Sequence, residues 1–312
     1  MPTVMDYLLS DQSKIDSIHI LSSKKLQFKG FKDLPFDGIS DLAWDEKQQI
    51  LYAISDRAAL FHLKLNYQDK KIHNVSVIAA YPLKNKQGDI LVSDNADAEG
   101  LDLSYNEKGE TILHVSFEQT PRIAQYTPTG KWLRKIPLPK PLRQIKSYRS
   151  SNKALESVVH HPRHGLLTAT EYPLKQYDMQ QQRIYSRSGK EWIIPASDAK
   201  NSAITALSVL PNQNVLILER AWAGFLHPLV ITLSEVNINN CVPNTICSVK
   251  KIAKLSTADS WRLDNFEGLT HFKKDLYFMV SDNNAQPIQS TLLVLFEIQK
   301  EAYQDSSKDE FH

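Results

Sequence analysis

Three features of the 312-residue sequence predict an all-β fold. Val, Ile, Leu and Tyr alternate with polar residues over short runs, turn-forming clusters interrupt those runs, and one hairpin plan recurs five times. Alternation at a period of two puts one face of a segment on a core and the other toward water, which favours strands over helices. With 42% apolar residues, the chain has enough hydrophobic material for one large closed β domain.

The first copy of the plan, ISDLAWDEKQQILYAISDR at 39–57, is an apolar strand, a DEKQQ turn and a second apolar strand ending in Ser-Asp. ALFHLKL and VSVIAAYPL then supply two more strands. The second copy, AEGLDLSYNEKGETILHVSFEQTPR at 98–122, turns at NEKGE and continues into IAQYTP and KWLRKIPLP. The third, LESVVHHPRHGLLTATEYP at 155–173, turns at PRHG, and the fourth, ITALSVLPNQNVLILER at 204–220, turns at PNQN. The fifth, DNFEGLTHFKKDLYFMVSDNN at 264–284, turns at KKD and is followed by TLLVLFEI.

First strands start at Ser40, Glu99, Glu156, Thr205 and Glu267, at intervals of 59, 57, 49 and 62 residues. The acids closing the second strands are Asp56, Glu118, Glu171, Glu219 and Asp282, which lie 16, 19, 15, 14 and 15 residues further on. Repeats of roughly 50 to 60 residues, each a four-stranded antiparallel sheet, make a β-propeller. Five blades are countable, with a sixth, degenerate blade as the alternative. The last copy lacks a fourth strand, and the segment IDSIHILSSKKLQF at 15–28 is expected to supply it and close the ring. Residues 1–300 read as a single propeller domain, and EAYQDSSKDEFH at 301–312 as a mobile polar tail.

Composition narrows the partners. Thirty-seven basic and thirty-five acidic residues leave a net charge of +2, so no global field favours nucleic acid or an anionic membrane. The longest apolar runs, such as LLVLF at 292–296, fall far short of a membrane span. MPTVMDYLLSDQSK shows no signal-peptide pattern. Cys241 and Cys247, six residues apart around a Pro-Asn turn, are expected to form a disulfide, with two unrelated thiols as the alternative. A disulfide favours an oxidising compartment, so the expected location is periplasmic or secreted, with a cytoplasmic one left open. Two cysteines do not make a tetrahedral zinc site. The chain is expected to act as a monomer.

In an up-and-down hairpin the start of the first strand and the end of the second share one edge, so the repeat acids face one rim of the disc together. Glu99, Glu156 and Glu267 should ring the channel mouth, with Glu118, Glu171, Glu219 and Asp282 further out. Carboxylates crowded into a concavity repel one another unless a cation neutralises them. Oxygen donors without thiolates favour Ca²⁺, with Mg²⁺ or Mn²⁺ next. Glu99, Glu156, Glu267, Asp282 and Asn283 are the expected metal ligands; Asn265 and Asn284 add amides, and Asp97 and Asp264 precede strand starts. Arg57, Arg122 and Arg220 follow the second-strand acids and suit an anionic group. Metal-holding acids beside anion-gripping arginines point to hydrolysis, with Glu118 or Glu171 as general base. The plainer alternative pairs each Arg with an acid as an architectural bridge. For Arg220 that bridge must reach another blade, because Glu219 points to the opposite face of the strand.

The ordered set DAEGLDLS with VSFEQTPRIAQYTPTGK, NKALESVVHHP with TATEYPL, LSVLPNQNVLILER, and NFEGLTHFKKDLYFMVSDNN resembles the phytase-like family described as having esterase-like activity of phytase. The resemblance runs from about residue 36 to 298. It implies a propeller, commonly exported from bacteria, with metal-assisted ester or phosphoester hydrolysis, and leaves the substrate open. Glu99, Glu118, Arg122, Glu156, Glu171, Glu219, Arg220, Glu267, Asp282 and Asn283 match the family's recurrent polar positions. The chain departs from the pattern at NKALES, where Ala154 and Ser157 stand in place of expected glycines.

Other chemistries lack their motifs. There is no G-x-S-x-G elbow, no H-E-x-x-H, no P-loop and no G-x-G-x-x-G. His160, His161 and His164 fall in the turn on the opposite rim and read as solvated. The five tryptophans recur about once per blade and read as packing, with Trp222 and Trp261 placed to touch a ligand. The sequence therefore predicts a calcium-assisted hydrolase acting on a small anionic ester or phosphoester. The alternatives are a non-catalytic propeller binding a peptide, glycan or envelope partner, and a lactonase-type enzyme.

Overall fold

Period-two segments cannot bury their apolar faces alone, and they assemble into five sheets around one axis. The computed structural model describes residues 3–224, 226–283 and 289–299. Asn284 and the polar tail lie outside them. The chain begins with β1 (Val4–Asp6), β2 (Lys14–Ile15) and β3 (Ile18–Leu26). The first complete blade is β4 (Ile39–Asp45), β5 (Ile50–Ser55), β6 (Ala59–Gln68) and β7 (Lys71–Pro82). The second is β8 (Ala98–Tyr105), β9 (Thr111–Phe117), β10 (Arg122–Tyr126) and β11 (Trp132–Ile136). β12 (Leu155–His161), β13 (Gly165–Thr170), β14 (Gln181–Ser186) and β15 (Glu191–Pro195) make the third. β16 (Ser202–Val209), β17 (Val215–Ala221), β18 (Val230–Val236) and β19 (Val249–Ser256) make the fourth. β20 (Asn265–Lys273), β21 (Leu276–Asp282) and β22 (Thr291–Ile298) begin the fifth.

The fold is a five-bladed propeller, with no sixth blade among the described residues. The fifth blade takes its outer strand from the N-terminus, because β3 pairs antiparallel with β22 from Thr291↔Leu26 to Ile298↔Ile18. β1 and β2 then flank β3. Each inner strand packs on the next, with β20 returning to β4. In every inner hairpin one turn residue takes the left-handed conformation: Gln49, Gly109, Gly165, Gln213 and Lys274. Apolar side chains from facing blades form the core, for example Trp44 edge-on to Phe272 at 4.8 Å between the first and fifth blades.

The inner strands approach so closely that side chains become a liability. A Cβ on Gly100 would lie 2.5 Å from Ser116 Oγ and 2.7 Å from Ser157 Cα, and one on Gly268 would lie 2.7 Å from Asp41 Cα. Polar staples hold these strands together. Asp41 accepts from Leu42 N (2.8 Å), Leu101 N (2.8 Å) and Leu269 N (2.9 Å), tying three inner strands at one carboxyl. Burial pushes that carboxyl well above the usual range, and the three backbone donors offset part of the shift. Asp102 accepts from His160 N in the same way, and burial raises its pKa to about 7.

Cys241 and Cys247 are joined as a disulfide. Their loop leaves the fourth blade and seals the outer edge of the third. Ile193 bridges Ile246, Cys247 N donates to Ile193 O (2.8 Å), and Trp192 Nε1 donates to Cys241 O (3.2 Å). An otherwise open strand edge is thereby paired. No helix among the described residues is long and apolar enough to cross a membrane.

Candidate active site at the glutamate-lined mouth

The innermost strand of each blade carries a β-bulge where the sequence repeat begins. The ladder shifts between Ile39 and Asp41, Ala98 and Leu101, Leu155 and Ser157, Ile204 and Ala206, and Phe266 and Gly268. The positions passed over include Ser40, Glu99, Glu156, Thr205 and Glu267, the five aligned starts. A bulge frees one residue from pairing and re-aims its side chain. Three blades thus present a glutamate, and the other two present short hydroxyl side chains.

Second-strand acids arrive by a shared backbone device. The N–H groups of Asp56, Glu118 and Glu171 donate to the carbonyls of Gly38, Asp97 and Ala154 at 2.8, 2.9 and 3.0 Å. Gly38 takes a left-handed φ of 60°, and a Cβ there would strike the Asp56 carboxylate. Glu118 also crosses to the third blade, accepting from Ala154 N at 2.9 Å.

Two groups of carboxylate oxygens fall within 4.8 Å of one another: Asp97, Glu99 and Glu118, and Glu118, Glu156 and Glu171. Burial first, and then the neighbouring acids, push Glu99 and Glu156 well above the carboxylate range. Burial also raises Glu118, to about 8, and Asp56, to about 6. Among the described residues no ion pair reaches Glu99, Glu118 or Glu156, because the cations engage Glu171 and Glu267 instead. An oxygen-only set with uncompensated charge fits a hard divalent cation.

Arg220 is the central cation of the mouth. It donates to Glu267 Oε1 (2.6 Å), to Glu171 Oε1 (3.3 Å) and to Asn265 Oδ1, and so spans the third, fourth and fifth blades. Burial strips hydration from the guanidinium, but Glu267, Glu171 and Glu156 outweigh that and hold its pKa above the ordinary value. The inter-blade bridge required of Arg220 is present. Lys153 adds a second cation, with Nζ 3.2 Å from Glu171 Oε2 and 4.5 Å from the centre of the Tyr172 ring.

The other predicted residues are placed differently. Arg57 is half exposed and pairs with Asp37 at 3.3 Å. Arg122 sits over the Phe117 ring with Cζ 3.6 Å from its centre and donates to the carbonyls of Thr120 and Asn95, in a groove outside the glutamate cluster. Asp282 is buried opposite Asn265, and Asn283 Oδ1 accepts from Gly38 N at 3.0 Å, joining the fifth blade to the first. Glu219 accepts from Ser197 N and Ser202 Oγ between the third and fourth blades. Trp261 is core, whereas Trp222 is half exposed on the loop after β17. His161, expected in a solvated turn, is fully buried with Nε2 2.7 Å from Gln213 O.

Register explains the fourth blade. Gly38, Asp97, Ala154, Ala203 and Asn265 each lie two residues before an aligned start, and the residue opposite is Asp56, Glu118, Glu171, Arg220 and Asp282 in turn. Arg220 occupies the acid position of its blade, which the sequence comparison had given to Glu219. The signal was in the spacing. Glu219 lies 14 residues after Thr205, whereas Arg220 lies 15, the interval seen in the third and fifth repeats.

No curated protein sequence matches the chain. Solved structures similar to it include the PQQ-bound aldose sugar dehydrogenase of Streptomyces coelicolor, 10% identical, with a TM-score of 0.44 over 88% of this chain and 98% of that one. The Dos1 propeller is also similar, 10% identical with a TM-score of 0.38 over 92% and 78% of the two chains. Residues 34–285 match the family described as "Phytase-like: Esterase-like activity of phytase". The match spans the motif-bearing hairpins of all five blades, so the chain belongs to the phytase-like family.

Proposed function

We propose that the protein is a metal-assisted hydrolase of an ester or phosphoester, working as an exported monomer at the glutamate-lined mouth. The observation that carries this reading is the convergence of Glu99, Glu118, Glu156 and Glu171, with Asp97, into two adjoining oxygen clusters in which, among the described residues, only Glu171 is paired with a cation. Calcium suits the donor set best, with magnesium or manganese next. When bound, such an ion supplies Lewis acidity to an ester or phosphoryl oxygen. Arg220 and Lys153 orient the substrate's anionic group, and Glu171, gripped by both, accepts the proton of the attacking water. Arg57 and Arg122 lie outside this grip. The disulfide supports export to an oxidising compartment.

Calorimetry with Ca²⁺, Mg²⁺ and Mn²⁺, paired with a panel of esters and phosphoesters, tests the proposal. Binding of one of the ions should be lost in Glu156→Gln, and turnover should fall roughly a hundredfold in Glu171→Gln, the range of a lost general base. No ion binding together with unchanged turnover in Glu171→Gln would sink it. A second reading, a binding propeller with no chemistry, is favoured by one feature: Trp222 and Leu226 stand exposed on the loop after β17. It predicts capture of a partner through that loop and silence across the whole substrate panel.

A further inference from the structure

A second convergence of polar chemistry lies on the rim opposite the glutamates, in a cavity of about 410 Å³ between the second and third blades. Arg134, Arg187, His114, His160, Gln125 and Ser104 line it, together with the apolar Ile136 and Leu166, and no Asp or Glu does. Arg187 is exposed, and among the described residues neither guanidinium is in an ion pair with a carboxylate.

Beneath the arginines is a chain of hydrogen bonds whose direction chemistry dictates. Arg134 Nε can only donate, so its partner on Gln125 is Oε1. That turns the amide Nε2 toward His114 Nδ1 at 3.3 Å, where it donates. His114 therefore carries its proton on Nε2 and gives it to Ser104 Oγ at 2.9 Å. The Ser104 O–H is left to donate outward. Gln125 and His114 are both buried, and burial lowers His114 to about 4, so the imidazole stays neutral and the order holds. His160 stacks on His114 with ring centres 5.8 Å apart and planes 17° apart, which fixes the ring.

This order makes Ser104 a donor and denies it the imidazole lone pair that a serine nucleophile needs. Two guanidinium groups and a hydroxyl donor, without an opposing acid, match a doubly charged oxyanion. We propose that this cavity is a receptor site for a small phosphate monoester, held by Arg134, Arg187 and the Ser104 hydroxyl with its organic group against Ile136 and Leu166. The site is independent of the glutamate mouth.

Titration calorimetry of the full chain in EDTA, which removes any metal-dependent binding at the mouth, tests this with inorganic phosphate, phenyl phosphate and succinate. Phenyl phosphate should bind with one-to-one stoichiometry and more tightly than phosphate, and phosphate more tightly than succinate. Arg187→Gln, whose side chain makes no hydrogen bond or ion pair among the described residues, should weaken phenyl phosphate about tenfold, as expected for a lost charged hydrogen bond. Gln125→Glu should reverse the chain, because a carboxylate accepts from His114 Nδ1–H. The ¹⁵N spectrum would then show the imidazole proton moving from Nε2 to Nδ1, with a similar loss of affinity. Absence of binding at millimolar ligand, equal binding by Arg187→Gln, or tighter binding of succinate than of phosphate would each overturn the assignment.

Discussion

Arg220 and Arg57 follow the same sequence rule, an arginine after a strand, yet their energetics differ. Arg220 sits among Glu171, Glu267 and Asn265 with its side chain only 20% exposed, whereas Arg57 is 54% exposed beside Asp37. Removing Arg220 leaves Glu267 without its cation and Glu171 with Lys153 alone, so Arg220→Ala should cost about 3 kcal/mol in urea unfolding. Arg57→Ala should cost well under about 1 kcal/mol. Asp102 makes a pH-dependent prediction. Its folded pKa of about 7 is raised above the unfolded value, so between pH 4 and 7 the folded state keeps a proton that the unfolded state has released. Stability then falls as pH rises through that window, by up to roughly 4 kcal/mol, with the loss complete above the folded pKa. Asp102→Asn preserves the acceptor for His160 N, and its unfolding free energy should lack that fall between pH 4.5 and 8.

At the scale of elements, the hairpins were readable because period-two alternation and turn clusters are local properties. The aligned starts fell at the bulge of every inner strand, although the bulge itself depends on inter-strand register that no single segment displays. What the sequence hid was direction. Glu219 and Arg220 are neighbours, and only the pairing of Ala203 with Arg220 decides that the arginine takes the acid position and enters the mouth. Arg122 likewise has a motif position suited to the rim, but the nearby Phe117 ring captures it. Gly100 predicts its own fragility. A methyl group there meets the backbone of the third blade, so Gly100→Ala should destabilise by about 3 kcal/mol, near the upper range for overpacking, in thermal or urea melts. The disulfide loop closes only a short segment, so reduction should remove about 2 kcal/mol. Amide exchange should then rise first along β15, whose edge the loop covers.

Across the whole molecule, the mouth combines three bulge glutamates from the second, third and fifth blades with one arginine from the fourth. A divalent cation that binds only the folded ring should stabilise it by mass action, by about 2.7 kcal/mol at a hundredfold excess over Kd. Differential scanning with and without Ca²⁺ should show that rise in Tm, and Glu99→Gln should abolish it while melting higher than the parent in EDTA, because one repelling charge is gone. An unchanged Tm in Ca²⁺ would count against a metal at this rim. The number of blades and the closing strand were legible because repeats announce themselves. The basic cavity on the far rim was not, since Ser104, His114, Gln125, Arg134 and Arg187 come from separate strands and turns of two blades and share no motif.

The pairing of β3 with β22 has a consequence for biogenesis. β3, residues 18–26, is synthesised well before its partner strand β22 at 291–298. Until β22 has been synthesised, the fifth blade lacks a complete sheet and the edge of β3 that pairs with β22 has no partner in the ring. Closure of the ring therefore waits for β22, and a chaperone that shields the β3 segment would act over the interval between synthesis of the two strands.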